Sequence, residues 1–253
     1  MAILEPSNRT AIVTGGSQGI GLAIARRLRR DGYRVGIIAR DPARLRGAAG
    51  TLGDTPWFAA DLSQRADAVA AMHSLISSLG RLDVLVNNTG LARSVSAADT
   101  LDDAELAWDA VMCANLKSMF LATMAAMPHL RHAGARVINI GSIAAQSGSS
   151  SPGGLAYAAA KAGVQGFSAS LARELAQDGV TVNTVVPGLI AGTGFFGPKG
   201  LTDEKRNTLV SQIPVGRPGD PDDVAAAVAW LASEESSFVT GAAIPVNGGW
   251  RIG

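Results

Sequence analysis

The sequence predicts one α/β domain, a doubly wound parallel sheet of about seven strands with helices on both faces. Three observations carry that prediction. Short β-branched runs alternate with longer amphipathic stretches along the whole chain. The 253 residues are 47% hydrophobic, enough for one sizeable core. No linker-like boundary, internal repeat or low-complexity tail breaks the alternation.

Thr10–Thr14 (TAIVT) reads as the first strand and Gly15–Gly21 as a glycine-rich turn. Ile20, Ala23, Ile24 and Leu28 then recur at helical spacing up to Arg30. Val35–Ala39 is the second strand, and Asp41-Pro42 starts the next helix. A short third strand spans Trp57–Ala60, and a helix from Arg65 to Leu79 stops at Gly80. Asp83–Val86 is a fourth strand running into Asn87-Asn88-Thr89-Gly90. One long helix is expected over Asp102–Met127, ended by Pro128. Arg136–Ile140 is the fifth strand, and Gly141–Gly154 is a loop rich in Ser and Gly. A helix over Leu155–Gln177 ends at Asp178-Gly179 before a sixth strand, Thr181–Val186. Pro187–Gly200, with five Gly and two Pro, reads as a mobile loop or lid, and residues 188–215 as the substrate loop. A capped helix at Pro221–Ala232 and a last strand at Ala243–Val246 complete the domain.

Composition excludes several kinds of function. The 22 basic and 21 acidic residues leave a net charge of +1, with no electrostatic footprint for nucleic acid or an anionic membrane. Cys113 stands alone, so no intrachain disulfide or cysteine-based zinc site is available. His129 and His132 sit three apart without a carboxylate motif and read as a solvated helix end, so no metal is expected. Gly141-Ser142 lacks the G-x-S-x-G elbow of a Ser-His-Asp hydrolase. Met1–Thr10 lacks the apolar stretch of a secretory signal, and no run of about 18 apolar residues occurs, so a cytoplasmic protein is expected.

The chemistry begins at Thr14-Gly15-Gly16-Ser17-Gln18-Gly19-Ile20-Gly21, between a strand and a helix. Glycine lets backbone turn tightly and approach a pyrophosphate, whose charge is met by free N–H groups at the helix N-terminus. Tyr157 and Lys161 are an i, i+4 pair on one helix face. A phenol with a pKa near 10 is inert at neutral pH unless a neighbouring positive charge stabilises the phenolate, and Lys161 is placed to supply it. Ser142 follows the fifth strand at the carboxyl edge of the sheet, where its hydroxyl can donate to a developing alkoxide. Asn115 falls in a helix, where a buried amide needs a backbone carbonyl or a water. The other tyrosine, Tyr33, lies at a helix-to-strand turn with no partner lysine.

The T-G-x-x-x-G-x-G spacing resembles that of the short-chain dehydrogenase/reductase family, and further matches follow in order: Asp61-Leu62, Asn87-Asn88-Thr89-Gly90, Asn115, Ser142, Tyr157, Lys161 and Pro187-Gly188. Thr89 stands where that family usually has Ala, and the Ser142-to-Tyr157 interval is slightly longer than usual. The resemblance implies a Rossmann-like domain over residues 1–253 that moves hydride between a nicotinamide cofactor and a ketone or secondary alcohol. It implies Asn115, Ser142, Tyr157 and Lys161 as catalytic residues, Asn115 supporting a water-mediated proton relay to Lys161. It implies cofactor contacts at Gly15, Ser17, Gln18, Gly19, Ile20, Gly21, Arg40, Asp61, Leu62, Asn88, Gly90, Tyr157, Lys161, Pro187, Gly188, Ile190 and Thr193; Thr193 lies one step beyond the usual spacing. Ala39 stands where NAD-preferring members carry an acid, and Arg40 follows, a donor suited to the 2′-phosphate of NADP(H). Asp41 is one residue further and leaves NAD(H) as the alternative. A 3-oxoacyl-thioester reductase and a homotetramer, with Val246–Trp250 packing at its interfaces, are further implications. Phe195-Phe196 and the Ser/Gly loop would shape the substrate pocket. Two alternatives stay open, an NAD-dependent alcohol dehydrogenase and an NADP(H)-binding sensor without turnover.

Overall fold

The computed structural model describes residues 9–149, 152–194 and 201–252. Phe195 and Phe196 lie outside them. In chain order the elements are β1 (Thr10–Thr14), α1 (Gly19–Arg30), β2 (Arg34–Ala39), α2 (Pro42–Thr51), β3 (Trp57–Ala59), α3 (Arg65–Leu79), β4 (Val84–Asn87), α4 (Leu101–Met112), α5 (Ser118–Leu130), β5 (Arg136–Ile140), α6 (Ala144–Ser147), α7 (Leu155–Leu175), β6 (Thr181–Pro187), α8 (Asp203–Val210), α9 (Pro221–Ala232) and β7 (Ala243–Val246). The seven strands form one parallel sheet in the order β3-β2-β1-β4-β5-β6-β7. This is the doubly wound α/β domain the sequence predicts. The order reverses direction between β1 and β4, and the crevice outside their carboxyl ends is where such sheets hold ligands.

Strand alternation divides the core in two. Ala11 and Val13 of β1 pack with Ile24 and Leu28 of α1 and Val224 and Val228 of α9. Ile12, on the opposite face of the same strand, packs with Met72 and Leu75 of α3, Ala122 and Ala126 of α5 and Leu171 of α7. Because both faces are covered, the strands read as continuous apolar runs rather than alternating ones.

Helix ends follow local chemistry. Asp41 caps α2 by accepting from the N–H groups of Ala43 and Arg44 at 2.9 and 3.1 Å, with Pro42 in the first turn. Gly80 ends α3 at φ 82°, a conformation that glycine adopts without a Cβ clash. The Asp223 carboxylate reaches back to accept the Asp220 N–H at the start of α9.

The expected single helix over Asp102–Met127 is corrected in two ways. A π-helical turn, Cys113–Lys117, separates α4 from α5. Pro128 lies inside α5, which continues to Leu130. Proline removes the bond to the carbonyl four residues back, here that of Met124, an exposed residue on the outer side, so water can satisfy the freed oxygen. The Gly141–Gly154 loop contains a short helix, α6, and the expected helix to Gln177 closes as α7 followed by a 3-10 turn at Ala176–Asp178. Within residues 188–215 the chain forms α8, and Ile190 bridges to Gly219.

Among the described residues one segment, Leu101–Leu130, is by length and composition long and apolar enough to cross a membrane, with a mean hydropathy of 1.4 over its best window, which a search for uninterrupted apolar runs overlooks. Ala122, Ala126 and Leu130 of that segment pack into the sheet core.

Candidate active site

A cavity of about 760 Å³ opens along the carboxyl ends of β1, β4, β5 and β6. Its floor beyond β1 is a glycine-rich turn. A Cβ at Gly21 would collide with the Gly15 carbonyl oxygen and lie 2.5 Å from the Asn88 Nδ2, and one at Gly15 would lie 2.7 Å from that same nitrogen. These glycines therefore let the turn and β4 close on each other. Gln18 begins α1 without a side-chain cap, which leaves the first-turn N–H groups facing the cavity. Thr14 ties the turn down, its Oγ1 accepting from the N–H groups of Asn88 and Thr89 at 2.9 and 3.2 Å. Asn88 Nδ2 in turn donates to the carbonyls of Thr14 and Gly15. A glycine-rich backbone surface at an uncapped helix N-terminus fits a dinucleotide pyrophosphate.

At the end of β2 the half-buried Ala39 and the exposed Arg40 line the cavity. Asp41 is there too, but one carboxylate oxygen caps α2 and the other pairs with Arg44 Nε at 3.3 Å. Arg44 also donates to Gln18 Oε1 at 2.6 Å, so two guanidinium groups, from Arg40 and Arg44, flank this end of the cavity. Sequence reasoning missed Arg44; its signal was an arginine three residues into the capped helix. Asp61 accepts from the N–H and Oγ of Ser63, and with Leu62 forms the neighbouring wall.

The reacting end assembles around α7. Tyr157 is hydrogen-bonded to Ser142 at the close of β5, and Ser142 Oγ also accepts from the Ala144 N–H at 3.2 Å. Burial pushes the Tyr157 phenol up to about 12, opposed in part by the Ser142 hydrogen bond. Lys161 is 4% exposed; burial pushes its ammonium down to about 8. The lysine Nζ donates to the Ile140 carbonyl at 2.8 Å and stands 5.7 Å from the Tyr157 ring centroid. The lowering of the phenol expected from Lys161 together with an oxidised nicotinamide ring is outweighed in the protein alone: the nitrogen is engaged by β5, and desolvation dominates both groups. What the wall offers at neutral pH is a neutral phenol, a hydroxyl and a largely protonated ammonium.

Asn115, 1% exposed, does not line the cavity but stands behind it in the π turn. Its Nδ2 donates to the carbonyls of Val111 and Leu91 at 2.8 and 2.7 Å, and its Oδ1 accepts from the Leu91 N–H. The π turn and the amide go together, because the widened turn frees the Val111 carbonyl for the side chain. A Cβ at Gly90 would lie 2.8 Å from Asn115 Oδ1, so Gly90 is what lets the β4 loop close on that amide. Of the remaining predicted residues, Ser17, Gln18, Gly19, Ile20, Pro187, Gly188, Ile190 and Thr193 line the cavity, and Gly21 lies beneath its floor. Trp250 and Arg251, which the sequence reading left out of the site, line it as well. Among the described residues no group of three or more His, Cys, Asp or Glu is placed to hold a metal ion.

A family profile described as enoyl-(acyl carrier protein) reductase matches residues 15–251, nearly the whole chain. The chain belongs to the short-chain dehydrogenase/reductase family. It is 39% identical over 243 residues to the 3-oxoacyl-(acyl-carrier-protein) reductase FabG of Vibrio cholerae, covering 95% of this chain and 96% of that protein. It is also 39% identical to the acetoacetyl-CoA reductases of Allochromatium vinosum, over 95% of this chain and 98% of that one, and of Cupriavidus necator, over 98% and 100%. This short-chain dehydrogenase/reductase is accordingly an oxidoreductase acting on the CH-OH/C=O pair.

Proposed function

We propose that the protein is an NADP(H)-dependent reductase of 3-oxoacyl thioesters, with Tyr157 as the proton donor. The observation that carries the reading is the meeting of Tyr157, Ser142 and Lys161 at one end of a cavity whose other end is a bare helix N-terminus. The 39% identity to reductases named for 3-oxoacyl-(acyl-carrier-protein) and acetoacetyl-CoA supports the substrate class.

Gly15, Ser17–Gly21, Asn88 and Gly90 would hold the nucleotide, with Asp61 and Leu62 beside the adenine and Pro187, Gly188, Ile190 and Thr193 along the nicotinamide side. Arg40 would receive the 2′-phosphate, and both Asp41 oxygens are already engaged, one by the α2 cap and one by Arg44, which disfavours Asp41 as a ribose acceptor. A bound dihydronicotinamide supplies the hydride. Ser142 donates to the substrate oxygen as negative charge develops there. The phenolic proton of Tyr157 passes to that oxygen, giving the alcohol and leaving a phenolate. Lys161 stabilises the phenolate with its charge, and Asn115 keeps the Leu91 loop and the π turn in place beside it, supporting proton return from water.

Exposed large apolar side chains support a homotetramer: Leu106 on α4, Phe120 and Met124 on α5, and Phe238 and Ile252 near the end of the chain. We also place the protein in the cytoplasm and assign residues 188–194 and 201–215 to a mobile substrate loop, residues 195–200 of the expected loop lying outside the described residues.

The experiment is steady-state reduction of acetoacetyl-coenzyme A with NADPH and with NADH, for wild type and Arg40→Ala. Preference for NADPH, falling about tenfold or more in the variant, is expected, since hydrogen bonds to charged groups contribute about 1.5–3 kcal/mol. Unchanged preference would overturn the cofactor assignment.

A further inference from the structure

The substrate end of the cavity carries charge of one sign. Among the described residues the only carboxylates lining the cavity are Asp41 and Asp61, both at its nucleotide end. Beyond Tyr157 the charged lining groups are Lys205 on α8 and Arg251 in the tail after β7. Arg251 Nε donates to Gln146 Oε1 at 2.9 Å, and no carboxylate of a described residue lies within 4 Å of the guanidinium. Arg217, which shares a neighbouring hollow with it, is by contrast paired with Asp223 at 2.9 Å.

The tail is held rather than loose. Asn247 Nδ2 donates to the Arg251 carbonyl at 3.1 Å, Asn247 Oδ1 accepts from the Gly249 N–H at 3.0 Å, and Trp250 Nε1 donates to Gln212 Oε1 at 3.3 Å. Gln146 belongs to α6, the short helix that follows Ser142 and whose Ala144 and Ser147 line the cavity. A neutral amide thus holds a guanidinium that lines the cavity, and among the described residues no carboxylate pairs with its charge and none accepts from its terminal N–H groups. That arrangement suits bidentate capture of an anion, with part of the ordering cost already met by the fold.

We propose that Arg251 determines substrate specificity by binding an anionic group of the carbonyl substrate, a carboxylate or phosphate, while the carbonyl lies against Ser142 and Tyr157. This rests on the reductase reading above. The anion has two sources, a carboxylate on the oxo compound itself or the phosphates of a thioester carrier, and the test separates them.

Wild type, Arg251→Gln and Arg251→Lys are compared on acetoacetyl-coenzyme A, acetoacetate and the neutral ethyl acetoacetate. In Arg251→Gln, kcat/KM for an anionic substrate relative to the neutral ester falls about ten- to hundredfold, mainly through KM, and Arg251→Lys recovers part of it. A fall confined to acetoacetate identifies a carboxylate, and one confined to the coenzyme A thioester identifies the phosphates. Equal loss on all three substrates, or no loss on any, overturns the proposal. Should wild type turn over none of them, the reductase reading fails by itself. Arg251 is then judged by calorimetric binding of coenzyme A and of acetoacetate to wild type and Arg251→Gln, where equal affinities overturn the assignment and a weaker variant supports it.

Discussion

The Lys161 ammonium, buried on α7, donates to the Ile140 carbonyl at the end of β5 across 2.8 Å. This bond fixes the helix that carries Tyr157 against the strand that leads into Ser142, and it does so with a charge that has been taken out of water. The arrangement costs stability in exchange for a positive charge beside the phenol.

That cost has a sign that pH can read. The folded lysine sits near 8, below its ordinary 10.5, so between those values the unfolded chain binds more protons and stability rises with pH. Below about 8 the penalty is fully present, on the order of 3 kcal/mol. Urea unfolding of wild type and Lys161→Met at pH 7 and pH 10 checks this. Wild type gains on the variant at the higher pH; a constant difference between the two would remove the claim that Lys161 is strained by burial.

Asn115 is expected to act through the backbone it satisfies. Asn115→Ala strands the buried carbonyl of Val111, at about 1–3 kcal/mol when unmatched, and removes a bond to the part-buried carbonyl of Leu91. Denaturant midpoints should fall accordingly, and kcat with them, because the Leu91 loop lines the cavity. A variant as stable as wild type would show that water replaces the amide without loss.

Glycines separate into those the site needs and those it does not. Gly21→Ala drives a methyl into the Gly15 carbonyl, so dinucleotide affinity by fluorescence titration should fall tenfold or more, as an order-of-magnitude expectation, together with stability. In α2, a Cβ at Gly47 meets nothing within 4 Å, and Gly47→Ala should stabilise by up to about 1 kcal/mol. If the two substitutions behaved alike, close backbone approach would not be what Gly21 provides.

Much of the fold was legible because its signals are local. Thr10–Thr14, Arg136–Ile140 and Pro221–Ala232 fall where apolar runs, Asp-Pro starts and turn residues place them. The α4–α5 break was not, because a π turn changes one hydrogen bond without interrupting the apolar pattern, and Pro128 was overruled by solvent access at its freed carbonyl. In the site, Tyr157, Ser142 and Lys161 were readable from the i, i+4 pair, the strand end and the resemblance to the short-chain dehydrogenase/reductase family. The protonation behaviour was not, since it depends on burial that spacing does not express. Arg44, Trp250 and Arg251 reach the cavity only through a helix cap and a folded-back tail, relations between residues far apart in the chain. Tyr33, passed over for want of a partner lysine, donates its hydroxyl to the Ala232 carbonyl at 2.8 Å, as a packed tyrosine does.

The central claim is that Tyr157 delivers the proton. Its most direct test is NADPH-dependent reduction of acetoacetyl-coenzyme A by wild type and Tyr157→Phe, with NADPH affinity measured alongside. General acid catalysis contributes about 10²–10⁴-fold, so kcat should fall by that range while NADPH binding is retained. A phenylalanine variant turning over within a few-fold of wild type would contradict the account.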